Sequence, residues 1–325
     1  MSLFKKIIFI VAVSLFAWII ARSGPALIWS QVVSLNWRIL AVIFAYLVIY
    51  FFDTMGWRLS FRRGVKLPGL WRFFLVRQAG EALNYTTPSA YIGGEPVKAI
   101  LLNRRYGVDM VDGLASVVIA KTTLFLSKIA FLLIGVVLAL KFLRLESVVA
   151  AGILWTFIGV LGLFVVFLLL QRKGLFMVGL RFARRFKLSG TFEDKQDRIE
   201  EIDRTIGDFY LKERLRFCGS FAFHLLGWAA GAIEVYIILY FLGVPVDWVK
   251  AFVIEVFMKT ANSAFFFVPA AIGVQEGAGY AALAALGIGG EMGVALSIIK
   301  RIRELSWAGF GLFIYWMPPK QETKR

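Results

Sequence analysis

Six windows of about 20 residues, each almost wholly apolar, recur along this 325-residue chain: Phe4–Ala21, Trp37–Phe52, Val111–Leu140, Ser147–Leu170, Phe217–Leu242 and Gly293–Trp316. About 20 apolar residues carry a helix across the hydrocarbon core of a bilayer. Lipid admits only backbones that satisfy their own N–H and C=O groups. The pattern therefore predicts an all-α polytopic membrane protein forming one integral membrane domain over 1–325. Composition agrees, since 59% of residues are hydrophobic and 18% charged, whereas soluble domains lie near 45–50% and 25%. The single cysteine, Cys218, excludes an internal disulfide, and the single histidine, His224, excludes a site needing two imidazoles. Phe4–Ala21 has the charge pattern of a signal peptide, but Ala21-Arg22-Ser23-Gly24-Pro25 is a poor cleavage site, and the segment is read as a span.

Two further apolar segments, 71–105 and 247–286, are interrupted near their middles by Pro, Gly and Asn. Each is too broken for one straight helix and long enough for two half-helices that enter the membrane and return to the same side. Basic residues orient the chain. Lys5 and Lys6, then Arg58 to Arg72, Lys98 to Arg105, Arg172 to Lys187 and the final Lys320 to Arg325 fall on one side, taken as the cytoplasm. Both termini are then cytoplasmic, and the net charge of +16 needs no nucleic-acid partner. The polar stretch 171–216 reads as a cytoplasmic amphipathic connector, with Ile199, Ile202, Ile206 and Phe209 on one helix face at the inner leaflet.

The two broken segments match in register. Asn84 precedes Pro88 and Asn262 precedes Pro269; each proline is followed seven residues later by a glutamate, Glu95 or Glu276. Gly107-Val108 corresponds to Gly287-Ile288, Gly113 to Gly293, and Lys121 to Arg301. Combined with the orientation, this predicts an inverted-topology repeat of six transmembrane helices and two re-entrant helical hairpins. Its halves are 4–141, with hairpin 71–105, and 147–316, with hairpin 247–286. Such repeats are a common transporter architecture, with the site where broken helices meet. Half-helix N-termini present N–H groups suited to anions. Gly93 and Gly94 allow close backbone approach before Glu95, and Gly273 does so before Glu276. Either glutamate reads equally as the cap of its own half-helix.

Charges inside spans are costly and normally pair or face a polar cavity. Lys121, Lys128, Lys259, Lys300, Arg301 and Arg303 stand against Glu81, Glu95, Glu234, Glu255, Glu276 and Glu304. Lys121 and Lys128 share a helix face near the midplane. Lys300, Arg301, Arg303 and Glu304 form a face that retains positive charge, suited to phosphate, unless acids elsewhere complete its pairing. Lys259 with Glu255 reads as structural. No P-loop, metal set or nucleophile elbow is present, so no catalytic residue, metal or cofactor is expected.

At Gly93-Gly94-Glu95-Pro96-Val97-Lys98-Ala99, Pro269 to Glu276 and Arg301, the chain resembles the lysylphosphatidylglycerol synthase transmembrane-region, or flippase-like, family. Val274-Gln275-Glu276-Gly277 and Lys300-Arg301-Ile302-Arg303-Glu304 are similar to its hopanoid-biosynthesis-associated branch. The resemblance implies lipid translocation in a bacterial inner membrane, with membrane lipids as partners and lipid-biosynthesis enzymes as a further class. Aminoacylating members carry a large soluble C-terminal domain; only Pro318 to Arg325 follow the last span here, so lysyl transfer is not expected. The reading is a translocase with a site at Glu95, Glu276, Lys121, Lys128, Lys300, Arg301 and Glu304, and the rival is an enzyme or accessory subunit of head-group modification.

Overall fold

A computed structural model describes residues 25–86, 93–142, 196–265 and 268–317, with Ala21 and scattered positions between 151 and 169. The first expected span, most of the fourth, residues 171–195 and both termini lie outside the described residues. Among those described, the chain is helical throughout, without strands: α1 Pro25–Ser34, α2 Arg38–Leu59, α3 Leu70–Thr86, α4 Glu95–Tyr106, α5 Met110–Phe142, α6 Gln196–Lys212, α7 Arg214–Phe241, α8 Trp248–Ala264, α9 Val274–Ala285 and α10 Gly290–Trp316. A short 3₁₀ turn, Pro269–Ala271, lies between α8 and α9.

Three of these helices, α2, α5 and α7, are long and apolar enough to cross a membrane. They match the second, third and fifth expected spans. Helix α10 has the length, at 27 residues, but holds Lys300, Arg301, Arg303 and Glu304 at its centre. Apolar side chains are exposed on outward faces at helical spacing: Leu40, Phe44, Val48 and Phe51 on α2, and Leu226, Ile233 and Tyr240 on α7. In water such stripes would be unfavourable; against lipid tails they are the expected surface.

Both broken segments are pairs of helices. α3 ends at Thr86 and α4 begins at Glu95; α8 ends at Ala264 and α9 begins at Val274. α2 and α7 run antiparallel, with Ser60 bonded to Ser220 at one end and Arg38 over the Phe241 ring at the other. α3 and α10 are also antiparallel: Trp307 meets Phe74, and Tyr85 reaches Arg301 and Glu304. Arg105, at the end of α4, donates to the carbonyls of Ile314, Tyr315 and Met317, satisfying the orphan acceptors of the α10 C-terminus. The outer ends of α3 and α4 therefore share the end of the bundle where α10 finishes. At the opposite end, the α9 C-terminus turns through Gly287 into the start of α10.

The core divides along the same line. Leu35, Val42, Val235, Leu239, Ile254, Leu283 and Leu296 pack around α8 and α9. Trp57, Phe61, Phe73, Val76 and Leu102 pack around α3 and α4. The connector's helix, α6, sets Ile202, Ile206 and Phe209 on Ala115 and Ile119 of α5. This apolar stripe, expected on the inner leaflet, is covered by protein instead, because the first turns of α5 offer it the small and branched side chains of Ala115 and Ile119.

Candidate functional site

A cavity of about 600 Å³ lies at the centre of the bundle. Its wall comes from α2, α3, α5, α7, α8, α9 and α10, so both broken segments contribute to it. The wall is charged where a packed core would be apolar. Of the residues expected to form the site, Lys121, Lys128 and Glu304 line it. Glu95 and Lys300 stand outside the lining and hold Lys121 and Glu255 of the wall through ion pairs, whereas Glu276 and Arg301 pair with each other behind it, Arg301 reaching Tyr85 and Ala270 of the wall by hydrogen bonds; the glycines 93, 94 and 273 belong to the hairpin turns.

On the α3–α4 side, Asn84 ties the two half-helices together. Its Oδ1 accepts from the Gly94 N–H at 2.7 Å and its Nδ2 donates to Glu95 Oε1 at 2.7 Å. Glu95, 7% exposed, also receives Lys98 at 3.1 Å and Lys121 of α5 at 2.7 Å. Lys98 bonds Glu81 as well, and Arg77 bridges Asp53 of α2 at 2.8 Å and Glu81 at 4.0 Å. His224 of α7 closes the chain with Nδ1 3.4 Å from Asp53 Oδ1. Its Nε2 has no partner among the described residues and lies against Gly56, where any Cβ would collide with the ring.

On the α8–α9 side the arrangement recurs with other residue types. Asn262 of α8 donates to Gln275 of α9 at 3.4 Å. Glu276, fully buried, accepts from the Gly273 N–H at 2.8 Å and from Arg301 of α10 at 2.6 Å. It is thus both the helix cap and the partner of a basic residue. The returning half-helix therefore binds the following helix through one carboxylate in each segment: Glu95 to Lys121, Glu276 to Arg301. Arg301 also donates to the carbonyl of Ala270, in the 3₁₀ turn. Ala270 and Ala271 there have φ of 50°, a left-handed conformation rare outside glycine.

The positive face expected on α10 is neutralised from elsewhere. Lys300 bonds Glu255 and lies 3.5 Å from Glu234; Arg303 takes Glu234 at 2.8 Å and Glu304 at 3.5 Å. Glu304 pairs with its neighbour rather than with Lys300 or Arg301. Lys259 meets Glu255 at 3.4 Å, as its four-residue spacing predicts. Lys128 is different: its ammonium bonds Ser263 Oγ and lies 5.1 Å from the Trp228 ring centroid, with no carboxylate of the described residues within 4.0 Å.

Sequence reasoning missed Asp53, Arg77 and the role of Lys98. Asp53 sits one position beyond the expected end of the second span, and Arg77 was hidden in a segment judged by its breaks. The four-residue spacing of Arg77 and Glu81 was the available signal. Tyr46 and Tyr50 were also missed. They carry Arg303, 3.6 Å above the Tyr46 ring, and Arg77, 5.2 Å from the Tyr50 ring. Cationic side chains gain from the negative face of an aromatic ring when desolvated.

Comparison with curated proteins and with solved structures finds no significant match. A family model described as the lysylphosphatidylglycerol synthase TM region matches residues 6–310, the same stretch that carries the hairpins and the cavity. On that match, the chain belongs to the lysylphosphatidylglycerol synthase transmembrane-region family.

Proposed function

We propose that this protein is a lipid translocase that moves an anionic or glycosylated lipid between leaflets, with phospholipids, hopanoids and polyprenyl-linked lipids as the candidate classes. In this reading six spans and two re-entrant hairpins, α3–α4 and α8–α9, form an inverted repeat with both termini in the cytoplasm of a bacterial cell. The observation that carries it is the cavity: about 600 Å³ of space, walled by charged and aromatic residues from both hairpins, inside a bundle whose outer faces are apolar. A head group fits such an interior and tails fit such an exterior.

Two further observations support it. The Gly107 turn lies beside the C-terminus of α10 through Arg105, whereas the Gly287 turn leads into its N-terminus. A helix of 27 residues is about 40 Å long, so the corresponding turns are separated by roughly a membrane thickness. The recurrence of Glu95–Lys121 as Glu276–Arg301 gives the two halves equivalent joints about which they can rock.

The test is leaflet exchange in reconstituted liposomes. Vesicles containing the protein are expected to equilibrate at least one of the three lipid classes several-fold faster than protein-free vesicles. Equal rates for all three overturn the proposal. The rival, head-group modification, is favoured by the carboxylates and ammonium groups that share the cavity wall. Mass spectrometry separates them: an enzyme changes the lipid's mass, a translocase only its leaflet.

A further inference from the structure

Among the described residues of the buried cluster, Lys128 is the one base that no carboxylate within 4.0 Å answers. Every other cation there can be assigned its own acid: Arg77 to Asp53, Lys98 to Glu81, Lys121 to Glu95, Lys259 to Glu255, Lys300 to Glu234, Arg301 to Glu276 and Arg303 to Glu304. With His224 neutral, the assignment leaves no acid over. Lys128 is therefore the one base whose ammonium form has no counter-charge in the cluster, and it lines the cavity, where an entering anion would supply one.

The Lys128 side-chain nitrogen is held in place. The Lys128 ammonium donates to Ser263, which itself donates to the Lys259 carbonyl, and it lies on the face of Trp228. Trp228 is fixed by its indole N–H bond to the Leu124 carbonyl at 3.2 Å. One bond to Ser263 leaves an ammonium two further donors. Asn262, which precedes Ser263 on α8 and also lines the cavity, has a buried Oδ1 with no partner among the described residues. A polar atom left in this state costs free energy until something donates to it.

The geometry points to a specific ligand class for the lipid site proposed above: a head group with one net negative charge, a phosphodiester, whose anionic oxygen takes the Lys128 ammonium and whose hydroxyl donates to Asn262. This inference rests on the translocase reading for the lipid but not for the anion. A dianionic phosphate would overcompensate the wall, and a zwitterionic or cationic head group would leave or enlarge the buried excess, which low-polarity surroundings penalise strongly. Sugar stacking is not favoured, because the Trp228 face already carries Lys128 and Lys259, and the Trp307 indole packs edge-on to Tyr50 and Phe74.

Binding can be measured without transport. The full chain in neutral detergent is titrated with dihexanoyl phosphatidylglycerol, dihexanoyl phosphatidylcholine and inorganic phosphate, following thermal stabilisation. The anionic lipid is expected to bind about ten- to hundredfold more tightly than the zwitterionic one, the range of a hydrogen bond to a charged group. Lys128→Met removes the preference and Lys128→Arg keeps it. Ser263→Asp, which supplies the missing carboxylate while leaving the ammonium in place, also removes it and guards against a folding defect in Lys128→Met. Equal binding of the two lipids, binding of neither, a preference that survives in both Lys128→Met and Ser263→Asp, or inorganic phosphate binding as tightly as the anionic lipid overturns the assignment. Leaflet exchange of the same lipids separates this inference from the one beneath it: a preserved charge preference without exchange sinks the translocase and leaves the anion site standing, while exchange blind to charge sinks the anion site alone.

Discussion

Glu276 holds a half-helix and a guanidinium with the same carboxylate. Its Oε2 accepts from the Gly273 N–H and its Oε1 from Arg301, and no water reaches it. Glu276→Gln preserves an acceptor for the cap but leaves Arg301 without its counter-charge. Breaking a buried pair from one side typically costs about 3–5 kcal/mol, so the variant should unfold at clearly lower temperature in detergent, measured by differential scanning fluorimetry, while Arg301→Lys, keeping the charge, should lose less. The sequence offered a place in the head-group site and a capping role as alternatives for this residue. It does cap, and its second oxygen is taken by Arg301, whose side chain approaches from the neighbouring helix, a direction that no spacing within one segment encodes.

At the scale of elements, each returning half-helix is seated on a neighbouring helix by backbone contact at glycine. A Cβ on Gly94 would collide with the carbonyl of Gly80, and one on Gly293 with the carbonyl of Gly279. The first contact closes α3 on α4, the second α9 on α10. Neither position is explained by a left-handed φ; what each requires is space. Gly94→Ala is therefore expected to destabilise the protein by more than about 1 kcal/mol, as overpacked sites do, whereas Gly69→Ala, with nothing within 4 Å of its Cβ, should stay within about 0.5 kcal/mol. Purified yield and unfolding temperature of the two variants decide this. The breaks in the two segments were legible from Asn84, Pro88, Asn262 and Pro269. The close approach was not, because a glycine in an apolar stretch looks the same whether it faces lipid or another backbone.

For the whole molecule, the proposed inversion places the ends of the two hairpins on opposite membrane faces. Arg104 is exposed near the end of α4, and Ala285 is exposed at the end of α9. With Cys218→Ser as background, a membrane-impermeant maleimide should label Ala285→Cys in intact cells and Arg104→Cys only after permeabilisation. Labelling of both from the same side would remove the inversion.

The sequence by itself determined that the chain is helical and built for a membrane, where its helices break, and that acids and bases inside it come in near-equal numbers. Those follow from hydropathy, from proline and glycine, and from the cost of bare charge in lipid, all of which are local or compositional. Which acid meets which base was decided only by the tertiary structure. Lys300 finds Glu234 and Glu255 on other helices, Arg77 finds Asp53, and Lys128 finds no carboxylate within 4.0 Å among the described residues. Ion pairing acts over a few ångströms, and helices distant in sequence supply most of the partners. Along the chain Lys128 was one of several bases within apolar segments, and only its surroundings in space set it apart.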